Sequence, residues 1–93
     1  MKKLKVELFG SARRVVGAKE VDLSISDTDT YRDVSAKLAT DYPSLLGRVI
    51  EPRTYDLIEP YFFNVDAKRV VRDLDQLPDA GKPLLLFFVD AGG

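Results

Sequence analysis

Gly92 and Gly93 close the sequence just after the apolar run Leu84-Leu85-Leu86-Phe87-Phe88-Val89, with only Asp90 and Ala91 between. The chemistry this placement offers is that of an α-carboxyl group. Without Cβ atoms, the last two residues fit a narrow channel, accept any φ and leave the carboxyl carbon open to attack. At about 3.3–3.6 Å per extended residue, Asp90 to Gly93 reach roughly 13 Å, far enough to enter a partner's active site. An α-carboxyl group has an ordinary pKa of about 3.3–3.7, so at neutral pH it is ionised and a poor electrophile. It must be activated before a nucleophile can displace anything from it. A frayed end of small residues would give the same sequence with no chemistry attached.

Other reactive groups are scarce. The 93 residues include no histidine and no cysteine. That removes the commonest general base, the thiolate nucleophile, the disulfide framework and the iron–sulfur ligands, and disfavours an autonomous active site. Gly81-Lys82 lacks the spaced glycines and the Ser/Thr of a phosphate-binding loop. The pairs Asp27/Asp29 and Asp73/Asp75 are spaced like weak cation ligands. Neither has the further oxygen ligands and glycine of a calcium loop, so both read as turn and cap residues and no metal site is expected. Arg13-Arg14, Lys68-Arg69 and Arg72 could meet acidic patches on a partner, but in a chain with 14 basic and 15 acidic residues they read first as solvated charges. That balance, net −1, leaves no electrostatic footprint for nucleic acid.

The elements that must hold such a tail follow from hydrophobic periodicity. The composition, 45% apolar and 31% charged, is that of a globular protein, and the length suits one domain. The expected organisation is a folded unit over 1–89 and an extended tail over 90–93. Leu4, Val6 and Leu8 alternate with Lys5 and Glu7, which predicts a half-buried strand over 4–9. Val21, Leu23 and Ile25 alternate in the same way and predict its hairpin partner. Tyr31, Val34, Leu38 and Tyr42 recur at intervals of three and four, with Thr30 and Asp33 placed to cap the start and Pro43 to end the run. This predicts one amphipathic helix over 31–42. From Ser44 to Pro60 the pattern weakens into a connector with room for a helical turn. Tyr61 to Val65 reads as a strand, Lys68 to Val71 as its short partner across a turn at Asp66-Ala67, and Leu84 to Val89 as the last strand. Met1-Lys2-Lys3-Leu4 makes a poor signal peptide, and no stretch approaches membrane-spanning length, so a cytoplasmic location is the expectation.

This order of elements, ending in Gly92-Gly93, resembles the ubiquitin-like β-grasp fold and, within it, the small sulfur carriers of the MoaD/ThiS kind, closest to the MoaD type. The likeness spans nearly the whole chain. Phe9, Ala12, Arg13 and Gly17 are similar to the Phe-Ala-x-x-Arg…Gly stretch of MoaD-like chains, and the spacing from Gly81 to Gly92-Gly93 is the usual one. Phe88-Val89 stand where Pro-Pro is common, Asp66 where a turn asparagine is usual, and Lys82 where an aspartate is common. The resemblance implies an α+β fold in which a mixed sheet packs on one main helix. It also implies that a partner adenylating enzyme, related to ubiquitin-activating enzymes and holding ATP and Mg²⁺, activates Gly93. A persulfide enzyme or other sulfur donor would then leave a C-terminal thiocarboxylate. In this scheme Gly93 is the reacting residue, and Asp90, Ala91 and Gly92 are read by the partner's channel. A MoaE-like large subunit would receive the tail if the chain is the small subunit of molybdopterin synthase.

Assigning Leu84, Leu86 and Phe88 to the helix side leaves Leu85, Phe87 and Val89 facing outward with Phe62, a patch suited to protein recognition. A connector folded over that face would make the same residues core. Two other functions share the sequence features: a ubiquitin-like modifier that joins the activated tail to lysine amines, and an interaction module whose tail is inert.

Overall fold

The computed structural model describes residues 2–79 and 81–89. Its strands are β1 (Lys2–Leu8), β2 (Glu20–Ile25), β3 (Tyr61–Val65), β4 (Arg69–Val70) and β5 (Leu84–Phe88), and its helices are α1 (Ser11–Val16) and α2 (Tyr31–Asp41). A single turn of 3₁₀ helix occupies Pro43–Leu45. The sheet order is β2-β1-β5-β3-β4. β5 lies at its centre, parallel to β1 and antiparallel to β3, and β1 pairs antiparallel with β2. The result is a mixed five-stranded sheet packed on one main helix.

One face of the sheet carries the core. Leu4, Val6 and Leu8 of β1, Leu23 and Ile25 of β2, Phe63 and Val65 of β3, and Leu84 and Leu86 of β5 are all buried there. They pack with Tyr31, Val34, Leu38 and Ala39 of α2, the side chains that recur at intervals of three and four along it. The start of α2 has a partner for each backbone N–H of its first three residues. Thr30 Oγ1 accepts from the Asp33 N–H at 3.2 Å while Asp33 Oδ2 accepts from the Thr30 N–H at 2.9 Å, so the cap expected at Thr30 takes the form of a reciprocal box. The N–H groups of Tyr31 and Arg32 donate to the carbonyls of Gln76 and Leu74 at 3.0 and 2.8 Å. The Arg32 side chain extends this clasp. Its Nε donates to Asp75 Oδ1 at 2.9 Å, and its Nη1 donates to the Thr54 carbonyl at 2.8 Å and pairs with Asp56.

Two features differ from the expected pattern, and one open alternative is decided. The segment Gly10–Lys19, which joins the two strands of the expected hairpin, contains α1. Its six residues bury only Ala12, too short a stripe to show periodicity. β1 stops at Leu8, so Phe9 belongs to the turn into α1 rather than to the strand. The connector 44–60 does not fold over the outer face. Leu45, Val49 and Ile50 are completely buried in the core on the helix side, tied by short bridges Leu46–Ile50 and Ile50–Leu57. Three apolar residues in an aperiodic segment give no 3.6 or 2.0 period, which is why the sequence pattern hides their burial.

Candidate functional site at the end of the last strand

β5 takes its place from its two neighbours. Leu84 to Phe88 pair residue by residue with Val65 to Tyr61 of β3, and Leu84 to Leu86 run alongside Val6 to Leu8 of β1. Because side chains alternate, Leu84, Leu86 and Phe88 face α2 and the core, while Leu85 and Phe87 face the other side. Phe62, directly opposite Phe87, shares that outer face. The structure therefore brings together three of the four proposed interface residues, Leu85, Phe87 and Phe62, each half-buried. Val89, the fourth, follows the end of β5 and is 59% exposed. Asp90, Ala91, Gly92 and Gly93, the tail on which the chemistry was predicted, lie outside the described residues.

Sequence patterning missed how closely the end of β5 is surrounded. On the outer face the Phe87 ring meets Phe9 edge-on at a centroid distance of 5.0 Å and Phe62 edge-on at 5.9 Å. The guanidinium of Arg13 lies over Phe9, 5.3 Å from its centroid, and its Nε donates to the Leu8 carbonyl at 2.9 Å. Arg13 thus braces the turn out of β1. On the core face Phe88 stacks at a tilt against Tyr61, centroids 5.6 Å apart, and the Tyr61 hydroxyl accepts from the Ala12 N–H of α1 at 3.3 Å. Gly10 closes the arrangement: at φ +61° it is in a conformation that side chains disfavour, and a Cβ there would sit 2.5 Å from Cε1 of Phe88. The signal available in sequence was the pair Phe9-Gly10 directly after an alternating strand.

Near the opposite end of β5, Lys3, Lys5 and Lys82 line a hollow together with Gly81 and Pro83. Of these, Lys5 pairs with Glu20 at 3.7 Å, and Lys82 lies 4.0 Å from Asp79, which Arg69 also contacts. The outer face thus has aromatic residues at the tail end and lysines at the other. Within the acidic pairs, Asp29 accepts from the Ser26 N–H at 2.8 Å and Asp73 from the Asp75 N–H at 2.9 Å, while Asp75 also belongs to the Arg32 clasp and Asp27 lies 3.2 Å from Lys2. The Ser26 N–H, with Lys37 nearby, holds the Asp29 carboxyl below the usual carboxylate range, and the Arg32 guanidinium does the same for Asp56. Arg14 bonds to Ser11, and Lys68 and Arg69 pair with Asp66 and Asp79, so these cations have acidic or polar neighbours within the chain. No helix among the described residues is long and apolar enough to cross a membrane.

The same architecture occurs in solved structures. Small archaeal modifier protein 1 from Haloferax volcanii superposes with a TM-score of 0.80 over 98% of this chain and 99% of its own, at 23% identity. The fold is the ubiquitin-like β-grasp. The modifier protein 1 of Methanosarcina acetivorans matches with a TM-score of 0.78 over 100% and 98% of the two chains, also at 23% identity. A Pyrococcus furiosus protein provisionally described as subunit 1 of molybdopterin converting factor matches with a TM-score of 0.73 over 95% and 98%, at 18% identity. No protein-family model and no curated protein sequence matches the chain.

Proposed function

We propose that this chain is a small sulfur carrier working through the Gly93 carboxylate. The observation that carries this reading is a β-grasp domain whose central strand ends beside an outward aromatic patch and continues in sequence to Asp90-Ala91-Gly92-Gly93. The carboxylate oxygen attacks the α-phosphorus of ATP held with Mg²⁺ on a partner adenylating enzyme, giving the acyl-adenylate and releasing pyrophosphate. Sulfide displaces AMP to leave –COSH directly. With a persulfide donor, the terminal sulfur displaces AMP to give an acyl disulfide, which a second thiol reduces to the thiocarboxylate while forming a disulfide with the donor. The chain contributes the reacting group and the docking surface; nucleotide binding and charge stabilisation belong to the partner. Leu85, Phe87 and Phe62 form the apolar centre of that surface, with Val89 at its margin and Asp90, Ala91 and Gly92 read in the channel. The more specific form of the proposal is the small subunit of molybdopterin synthase, with a MoaE-like large subunit receiving the tail. The likeness to a protein described as a molybdopterin converting factor subunit supports it.

A second reading is favoured by the two modifier proteins of the same fold. In it, a lysine amine of a target attacks the same acyl-adenylate, forms an isopeptide bond and releases AMP. Both readings need an activated Gly93, and one measurement separates them. The chain is incubated with ATP, Mg²⁺, sulfide and the ubiquitin-activating-like enzyme of the same genome, beside a variant lacking Gly93, and intact masses are recorded. We expect a gain equal to exchanging one oxygen for sulfur, absent in the truncated variant. Lysine-linked products would move the conclusion to the modifier, and an unchanged mass in both chains would leave an inert interaction module.

A further inference from the structure

We propose that two dipeptides distant in sequence, Phe9-Gly10 and Tyr61-Phe62, act as a vise on Phe87-Phe88 and set where and in which direction the chain leaves the sheet. They are then positioning residues for delivery of the tail, an inference that rests on the carrier reading above. Each dipeptide supplies one contact to each face of β5. Phe9 and Phe62 press their ring edges against Phe87 from outside. Gly10 and Tyr61 press on Phe88 from the core side. The jaws are themselves fixed: Arg13 ties Phe9 to the Leu8 carbonyl, and the Tyr61 hydroxyl is bonded to the first turn of α1.

The position of this vise gives it a function beyond packing. The β3–β5 ladder ends at the pair Tyr61–Phe88, and Val89 is already 59% exposed. Phe88 is therefore the last residue of β5 with a cross-strand partner. From Phe88, five residues reach at most roughly 16–18 Å, so the position of Phe88 sets the centre of the volume the Gly93 carboxylate can reach. A carboxylate that must attack phosphorus in line tolerates little error, since displacements of about 1 Å can cost on the order of 10²-fold in rate. The two faces also separate binding from delivery. Phe87 and Phe62 belong to the docking patch, whereas Gly10 and the Tyr61 ring touch Phe88 on the opposite face. The three nearest atoms to a Cβ at Gly10 all belong to the Phe88 ring, so a change there acts on the last paired residue of β5 rather than directly on the docking residues.

The test is steady-state kinetics of acyl-adenylate formation, read as ATP–pyrophosphate exchange with the activating enzyme of the same genome. It compares the wild-type chain, Gly10→Ala, Tyr61→Leu, Phe88→Leu and the double variant Gly10→Ala/Phe88→Leu, each with a thermal unfolding curve. Gly10→Ala is expected to lower kcat by about tenfold or more with KM for the carrier within about twofold. Tyr61→Leu, which introduces no backbone strain, should lower kcat in the same sense. The double variant should be no slower than Phe88→Leu alone, because the smaller side chain gives the new methyl room and the two effects cease to add. Folded single variants with wild-type kcat would overturn the inference, as would losses confined to KM or strictly additive in the double variant. Failure of the wild-type chain to support exchange would instead overturn the carrier reading and this inference with it.

Discussion

Two regions of this molecule hold a chain segment in place by opposite means. At the end of β5 the contacts are almost wholly apolar: the three aromatic rings of Phe9, Tyr61 and Phe62 and the glycine Gly10 surround Phe87-Phe88, and the Tyr61 hydroxyl ties its ring to α1. At the start of α2 they are polar: Arg32 joins Asp56, Asp75 and the Thr54 carbonyl, and the backbone of 74–76 receives the first helical N–H groups. Close packing tolerates little displacement, because a shift of even a methylene is felt by every neighbour. Exposed ion pairs hold through directional contacts that water, salt and protons compete for. The apolar grip lies where the proposed function needs a fixed origin, and the polar clasp lies where the fold only needs its connector and loops brought together. The difference separates two kinds of perturbation, truncation of an apolar contact at the end of β5 and loss of a polar one at the start of α2.

The largest effect is expected from emptying the apolar grip. Phe88→Ala removes the ring from Tyr61 and Gly10 and should destabilise the fold by about 2–4 kcal/mol, toward the low side of the range for buried aromatic truncations because Phe88 is only half-buried. Urea unfolding measures it. The loss should be the same at pH 4.5 and pH 7 and in low and high salt, since the ring's neighbours among the described residues, Tyr61, Phe87 and Gly10, carry no carboxylate or amine side chain. A loss below about 0.5 kcal/mol would mean the end of β5 is not a packed region, and the comparison would break.

That grip is also where reading the sequence stopped short, and the reason is geometric. β1, β2 and α2 were legible because each buries one face continuously, so its apolar residues recur with period 2 or 3.6: Leu4, Val6 and Leu8 for the strand, Val34 and Leu38 for the helix. The capping residues Thr30 and Asp33 were legible because their chemistry is local. The outward side of Phe87 and Phe62 followed from alternation alone. What joins Phe9-Gly10 to Phe87-Phe88 is a parallel pairing across more than seventy positions, and periodicity within a segment carries no information about which strand lies beside which. Gly10 shows the same limit. Its glycine is explained by a positive φ and by the edge of Phe88, and neither is a property of its neighbours in sequence. The connector failed for a third reason, that Leu45, Val49 and Ile50 are buried by an irregular path with no repeat.

A smaller effect tests the backbone half of the clasp. Thr30→Ala removes the oxygen that accepts from the Asp33 N–H and should cost about 1 kcal/mol. Thr30→Asn, which keeps an acceptor, should restore most of it. Urea midpoints with an unchanged slope would attribute the change to the native helix start. The loss should leave the kcat of adenylate formation unaltered, because the cap is at the start of α2 and touches none of the residues around Phe88. A fall in kcat in proportion to the fall in stability would merge the two regions into one.

The smallest effect is the most specific. Asp56 and Asp29 have carboxyl groups held below their ordinary value, Asp56 by its hydrogen bond from Arg32 and Asp29 by that from the Ser26 N–H. Near and below the ordinary carboxylate value of about 3.9, the unfolded chain therefore binds more protons than the folded one, and stability rises with pH through that window. The stabilisation is present above that value and is lost as pH falls through the lower folded values. Asp56→Asn should then lower Tm by a small amount at pH 7, and the gap to wild type should close as pH drops below about 3.9. Both partners are partly exposed, Asp56 with 51% of its side chain, so high salt should also narrow the pH 7 gap. Phe88→Ala carried through the same titration should show a constant gap. If instead the Asp56→Asn gap persists unchanged at pH 3, the asparagine acts through packing or backbone geometry, and the clasp is held by the Thr54, Leu74 and Gln76 carbonyls rather than by charge.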